Sequence, residues 1–219
     1  PAATGAADAT ARPGLEQTLL ELGGNNRREV VFIDGSLPDL QALLDAVQPG
    51  IDVVLIDSSS DGLQQIANWL DGKTNIDAIH IIGHGSEGEK QVGSTLLTSE
   101  NIGAHADVLS RIGKSLSDDG DILLYGCSVA ADGEGQAFVD SIARLTGADV
   151  AASTDDTGNM ANGGNWALEY TTSSVESGSL FAENEPQNFN TLLDGEIVDI
   201  NYQSLNFNSS TRVSGASDT

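Results

Sequence analysis

The sequence predicts an α/β fold, a mostly parallel sheet with helices on both faces and an antiparallel extension at its edge. Three observations carry that reading. Short, unbroken apolar runs recur along the chain, as expected of strands buried on both faces. Between them lie segments with apolar residues at helical spacing. Near the end, Gly163-Gly164-Asn165-Trp166-Ala167-Leu168-Glu169-Tyr170 switches to alternation, which suits an antiparallel strand with one wet face.

Taken in order, residues 1–28 are rich in Ala, Gly and Thr and read as an N-terminal arm, with a short helix at Leu15–Leu22 broken by Gly23-Gly24. Glu29–Asp34 is the first buried strand. Pro38 opens a helix carrying Leu40, Leu43, Leu44 and Val47, and Pro49-Gly50 ends it. Asp52–Asp57 is the second strand. A polar turn leads to a helix with Leu63, Ile66, Ala67 and Leu70 on one face, stopped by Gly72. Ala78–Gly83 is the third strand, followed by a small hairpin from Gln91 to Leu97. A helix capped at Ser99 runs to about Leu116. Asp121–Gly126 is the fourth strand, Gly135–Leu145 a helix, and Asp149–Ser153 a fifth strand. Residues 29–175 therefore read as one domain. Residues 176–219, rich in Ser, Asn, Gly and acid, read as a linker or tail toward a following domain, or a segment folded back over the core.

The chain has 219 residues and a formal net charge of -24. So acidic a surface argues against nucleic acid or an anionic membrane as partner, since both demand Lys and Arg clusters. No apolar run reaches the roughly 18 residues of a membrane span. The N-terminus lacks the charged-then-apolar pattern of a signal peptide, and with no starting Met the sequence reads as a fragment of something longer. The acidic balance suits a secreted or surface protein in calcium-containing medium, though solubility alone also explains it. The one cysteine cannot form an internal disulfide.

Two apolar runs end in reactive side chains. Ala78-Ile79-His80-Ile81-Ile82-Gly83 delivers His84, and Asp121-Ile122-Leu123-Leu124-Tyr125-Gly126 delivers Cys127. In open α/β sheets chemistry sits beyond the carboxyl ends of the strands. A His and a Cys brought to that edge are candidates for a nucleophile and its base. The N–H groups of Gly85 and Cys127 are candidates for an oxyanion hole, with no side chain at Gly85 in the way. Help from the N-terminus of the helix after Cys127 is expected to favour the thiolate. Packing roles for both residues are the competing reading. His80 and His84 with one thiol do not make a zinc pattern, since neither CxxC nor HExxH is present. Carboxylates gather at Asp57 with Asp61, at Asp118 to Asp121 and at Asp155-Asp156, so calcium is admitted as a ligand, with no EF-hand spacing. No cofactor is required.

These blocks resemble the His-Gly and Cys motifs of the caspase-like cysteine peptidases, a group that includes caspases, gingipains, separases, legumains and the self-cleaving domains of RTX toxins. Asp119–Cys127, Gly135-Gln136-Ala137-Phe138-Val139 and Thr146–Ser153 resemble more closely a bacterial domain of unknown function, DUF4347, found near the N-terminus of very large secreted adhesins with cadherin-like, Ig-like or RTX repeats. The resemblance spans about residues 29–175. It implies a caspase-like three-layer sandwich, His84 as general base or acid, Cys127 as nucleophile, and Gly85 with Cys127 as the oxyanion hole. It also implies that the loop Ser153–Gly158 shapes the specificity pocket. An acidic pocket built on Asp155 or Asp156 would select Arg or Lys and make Arg27, Arg28 and Arg212 cut sites. An apolar pocket, as in the toxin domains, would favour Leu193 before Asp194.

The function expected is thus a cysteine endopeptidase module of a large secreted or surface adhesin, acting on its own parent chain. The alternative is a non-catalytic caspase-like module for adhesion or retention.

Overall fold

A computed structural model describes residues 27–181, 185, 186 and 188–194. The strands are β1 (Glu29–Asp34), β2 (Asp52–Ile56), β3 (Ile76–Ile82), β4 (Gly85–Ser86), β5 (Glu89–Val92), β6 (Thr95–Thr98), β7 (Leu116–Tyr125), β8 (Asp149–Ala152) and β9 (Tyr170–Thr171). The helices are α1 (Leu40–Ala46), α2 (Gly62–Leu70), α3 (Ala106–Gly113) and α4 (Gly133–Thr146). One sheet has the order β2-β1-β3-β7-β8-β9, parallel throughout except for antiparallel β9. A second, antiparallel sheet, β4-β5-β6, stands at the rim. The mixed α/β architecture with a mostly parallel sheet and an antiparallel edge agrees with the sequence reading, and it fits a three-layer sandwich.

The two faces of the sheet are covered differently. On one, Val30, Phe32, Ile79, Ile81, Ile122, Leu124 and Val150 pack under α2, α3 and α4. These helices supply the apolar faces seen in the sequence, including Leu63, Ile66 and Leu70, then Val108 and Ile112, then Phe138 and Ile142. The intervening strand residues, Val31, Ile33, Ala78, Ile82, Leu123, Tyr125 and Ala151, face the other way because strand side chains alternate. That second face receives α1, only seven residues long, through Leu43. The rest of its cover is a returning stretch of chain that contributes Leu180, Phe181, Phe189 and Leu193. Those four side chains are between 0% and 4% exposed. The described part of the region beyond 175 is therefore folded onto the core, the second of the two readings its composition left open.

Three local expectations change. The alternating stretch Gly163–Tyr170 is a strand only at its last residue, where Tyr170 begins β9, with one isolated bridge at Asn165 before it. The helix predicted from Ser99 to Leu116 divides into a 3₁₀ turn, Ile102–His105, and α3. It stops at Gly113 because the next helix lies against it: a Cβ there would stand 1.9 Å from the Thr146 carbonyl oxygen. Leu116 instead begins β7, so that strand is longer than its apolar run. At the start of the 3₁₀ turn, Thr98 and Asn101 exchange side-chain-to-backbone hydrogen bonds. α4 is closed at both ends, by the Asp132 carboxylate on the Glu134 and Gly135 N–H groups and by Gly147 at φ 78°.

Candidate active site

β3 and β7 are neighbours, with Ile82 opposite Tyr125. Each chain then runs through a glycine to its reactive residue, Gly83 to His84 and Gly126 to Cys127. Equal spacing past a paired position brings His84 and Cys127 out at the same edge. The two loops approach so closely that Gly126 has no room for a side chain: a Cβ would lie 2.9 Å from the Gly83 carbonyl oxygen. Gly85 is similarly confined: a Cβ there would lie 2.7 Å from a Val129 methyl. Just past the thiol, Ser128 has φ 56°, a left-handed conformation held by its N–H bonding to the Asp155 carbonyl at 2.7 Å.

The N–H groups of Gly85 and Cys127 point at one oxygen, the carbonyl of Leu193, at 3.1 and 3.4 Å. The segment that brings this carbonyl is paired through its backbone. Leu193 N–H donates to Thr157 O at 2.8 Å, Asn159 N–H donates to Thr191 O at 2.9 Å, and Leu192 bridges Gly158 antiparallel. Gly158, at φ 137°, makes the pairing feasible, since a Cβ there would stand 2.5 Å from the Thr191 carbonyl oxygen. The Leu193 side chain is wholly buried and belongs to the same apolar cluster as Cys127 and Phe189.

Cys127 is 3% exposed. Its Sγ accepts from Thr157 N–H at 3.2 Å and lies 3.5 Å from the Thr157 carbonyl oxygen, which can accept the S–H. Burial pushes the thiol up to about 11, a shift the Thr157 N–H opposes and the charges of Asp156 and Asp194 reinforce. His84 moves below its ordinary 6.5, chiefly through burial and then through the nearby Lys90 cation. The charges of Asp34 and Asp194 and a hydrogen bond to the Leu193 backbone carbonyl pull it back up. Both shifts disfavour the charged form, so the thiol and the imidazole each rest neutral near pH 7. The helix-terminus assistance expected for the thiolate is not delivered: α4 starts only at Gly133, and Asp132 caps its first N–H groups.

Lys90 is a part of this site that sequence reasoning missed. It is 1% exposed and sits in β5 opposite Gly85. Its Nζ donates to the carbonyls of Gly83 at 2.7 Å, Tyr125 at 3.0 Å and His84 at 3.3 Å. It thus ties the end of β3 to the end of β7. Burial lowers its pKa to about 7 against the pull of Asp34 and Cys127. Asp34, at the end of β1, completes the group of charges and holds Ser36 through its backbone N–H and hydroxyl. The signal available in the sequence was a lone lysine just before the predicted hairpin, six residues after His84.

The loop predicted to shape a pocket does border the thiol, through Thr157. Asp155 and Asp156 do not form its acidic floor. Both are exposed, and Asp155 is tied to Asn165 and Ser153 in its own turn. Leu193, not a basic residue, lies beside the thiol. Arg27 and Arg28 are at the opposite end of the sheet, where Arg27 binds Glu29 and Asp121, and Arg28 binds the Thr74 carbonyl and Asp77. Arg212 lies outside the described residues. His80 is a core residue, bonded to Glu29 at 3.3 Å and stacked on Tyr125.

Among the carboxylates considered for calcium, Asp57 and Asp61 bond within their own turns. Asp121 approaches Asp149 and Glu176 closely enough for oxygens of all three to lie within 4.8 Å of one another. Asp121 there already accepts from Arg27 and from the Glu176 and Ser177 N–H groups. No described helix is long and apolar enough to cross a membrane.

Fold and site together define an α/β domain with a histidine and a cysteine on adjacent strand ends and a pair of backbone donors between them. Residues 30–193 match the family described as "Domain of unknown function (DUF4347)", and the chain belongs to that family. Among curated proteins no match is found. Among solved structures, one titled "Crystal structure of a small-chain dehydrogenase" aligns at 10% identity over 54% of this chain and 77% of its own, with a TM-score of 0.31. That likeness is too low to bear on the site.

Proposed function

We propose that the chain is a cysteine endopeptidase module that acts on its own polypeptide, in the context of a large secreted or surface adhesin. The observation supporting the catalytic reading is the convergence of two backbone N–H groups, one of them the cysteine's own, on a single peptide carbonyl beside the thiol. Such donors stabilise the oxyanion of a tetrahedral intermediate. Cys127 is the nucleophile. Because it rests as a neutral thiol, His84 takes its proton as Sγ adds to the carbonyl carbon. His84 then gives that proton to the departing amine as the C–N bond breaks, leaving a thioester. Water attacks the thioester, its proton passing through His84 to the leaving thiolate, and a carboxylate and a free thiol result.

Buried, protonated Cys127 also suits the alternative, a non-catalytic module in which the thiol only packs. Alkylation of the uncut protein does not separate the two readings, since either leaves the thiol covered. Cleavage does. The intact mass of the full chain, followed over time beside Cys127→Ala and His84→Ala, is expected to fall for the unaltered chain alone. Retention of full length by all three, with no thiol-dependent cleavage of added peptides, sinks the peptidase reading.

A further inference from the structure

We propose that the segment ending at Leu193 is a built-in, single-use substrate: the Leu193–Asp194 bond is cut within the same chain, and the new Leu193 carboxylate stays in the groove. This rests on the peptidase reading. The residue whose carbonyl lies between the two N–H donors precedes the bond that a nucleophile at Cys127 would break, and that residue is Leu193. Its backbone is paired on both sides of Gly158, through an isolated bridge and two hydrogen bonds, in the way that strand-like pairing presents a peptide. Its side chain is 0% exposed. A leucine is therefore what this position selects, while Arg there would bury an unpaired charge.

Upstream of the Leu193–Asp194 bond, Phe189 is fully buried, its carbonyl accepts from Asn159, and Asn190 donates to Asp39 through both backbone and side chain. Downstream, Asp194 is exposed. In the reaction the Cys127 sulfur bonds the Leu193 carbonyl carbon, the bond to the Asp194 nitrogen breaks, and that nitrogen leaves with the thiol's proton. Hydrolysis frees Cys127 and leaves Leu193 as a carboxylate. Nothing about the upstream anchors changes, so the product strand continues to fill the groove. A tethered, preordered substrate also reacts without a bimolecular encounter.

The test uses the full 219-residue chain and a synthetic peptide of residues 188–196. Expected are one cut after Leu193, a first-order rate unchanged across about a hundredfold range of protein concentration, and no turnover of excess peptide by the cut protein. Leu193→Arg is expected to slow the cut by about a hundredfold or more, and Leu193→Met to retain it. A melting curve of each variant in the Cys127→Ala background shows that it folds. A Cys127-dependent cut at another bond, a rate rising with concentration, or repeated turnover of the peptide overturns the single-use substrate and leaves the peptidase standing. Absence of any Cys127-dependent cleavage, in the chain or the peptide, overturns both.

Discussion

Gly85 carries two demands at once. Its N–H faces the Leu193 carbonyl, and its α-carbon lies against Val129 and the Cys127 carbonyl. Gly85→Ala is expected to cost about 1–3 kcal/mol by overpacking and to slow cleavage by about a hundredfold through the displaced donor. Urea titration and the cleavage rate measure the two effects separately. His84 sets the pH dependence. Its pKa is depressed below 6.5, so the base form dominates above that value. The cleavage rate is expected to fall only as pH drops below 6.5 through the lowered pKa, and thiol ionisation, near 11, contributes no limb around neutrality. Lys90 has a linkage of its own. Its folded pKa is about 7 against an ordinary 10.5. Between those values the unfolded chain binds the extra proton, so this group's contribution to stability rises with pH. Lys90→Met is expected to flatten that rise, seen in urea midpoints at pH 7 and pH 9, and to slow cleavage by loosening the two strand ends.

The segment from Phe189 to Leu193 serves as a core layer as well as an occupant of the groove. Phe189 packs edge-on to Trp166, which packs on Phe181, so the aromatic side chains form a cap over β7 and β8. Phe189→Ala is expected to destabilise the fold by about 3–5 kcal/mol, with the melting temperature as readout. It is also expected to slow cleavage, because the strand loses its upstream anchor. Composition hid this element. Its apolar residues are scattered among Ser, Asn and acid with no helical or strand period, so only contact with the sheet face reveals them as core.

Charge acts across the whole domain. At -24 the chain repels itself, yet three of its few cations are spent inside or at the sheet: Lys90 at one end, Arg27 and Arg28 at the other. At that far end the His80 hydrogen bond, with help from Arg27, holds Glu29 below its ordinary 4.5 against the cost of burial. A depressed carboxylate contributes stability above its unfolded pKa and loses it as pH falls through the folded one. The melting temperature is therefore expected to drop as pH is taken below 4.5, with Glu29→Gln showing a shallower drop over that window.

The order of residues is enough to read the strand–helix alternation, the parallel sheet and the delivery of His84 and Cys127 to one edge. Those features follow from local periodicity and from the rule that a crossover returns the chain to the same end of the sheet. It also held Leu193 as a residue to watch, but only beside Arg27, Arg28 and Arg212. Only the fold separates the described ones by distance from the thiol: Arg27 and Arg28 lie at the opposite end of the sheet, and the Leu193 carbonyl lies on the two N–H donors. It likewise sets the direction in which the two pKa values move. Burial of Cys127 and His84, and the cation of Lys90 beneath them, depend on residues remote in sequence whose packing no local pattern records.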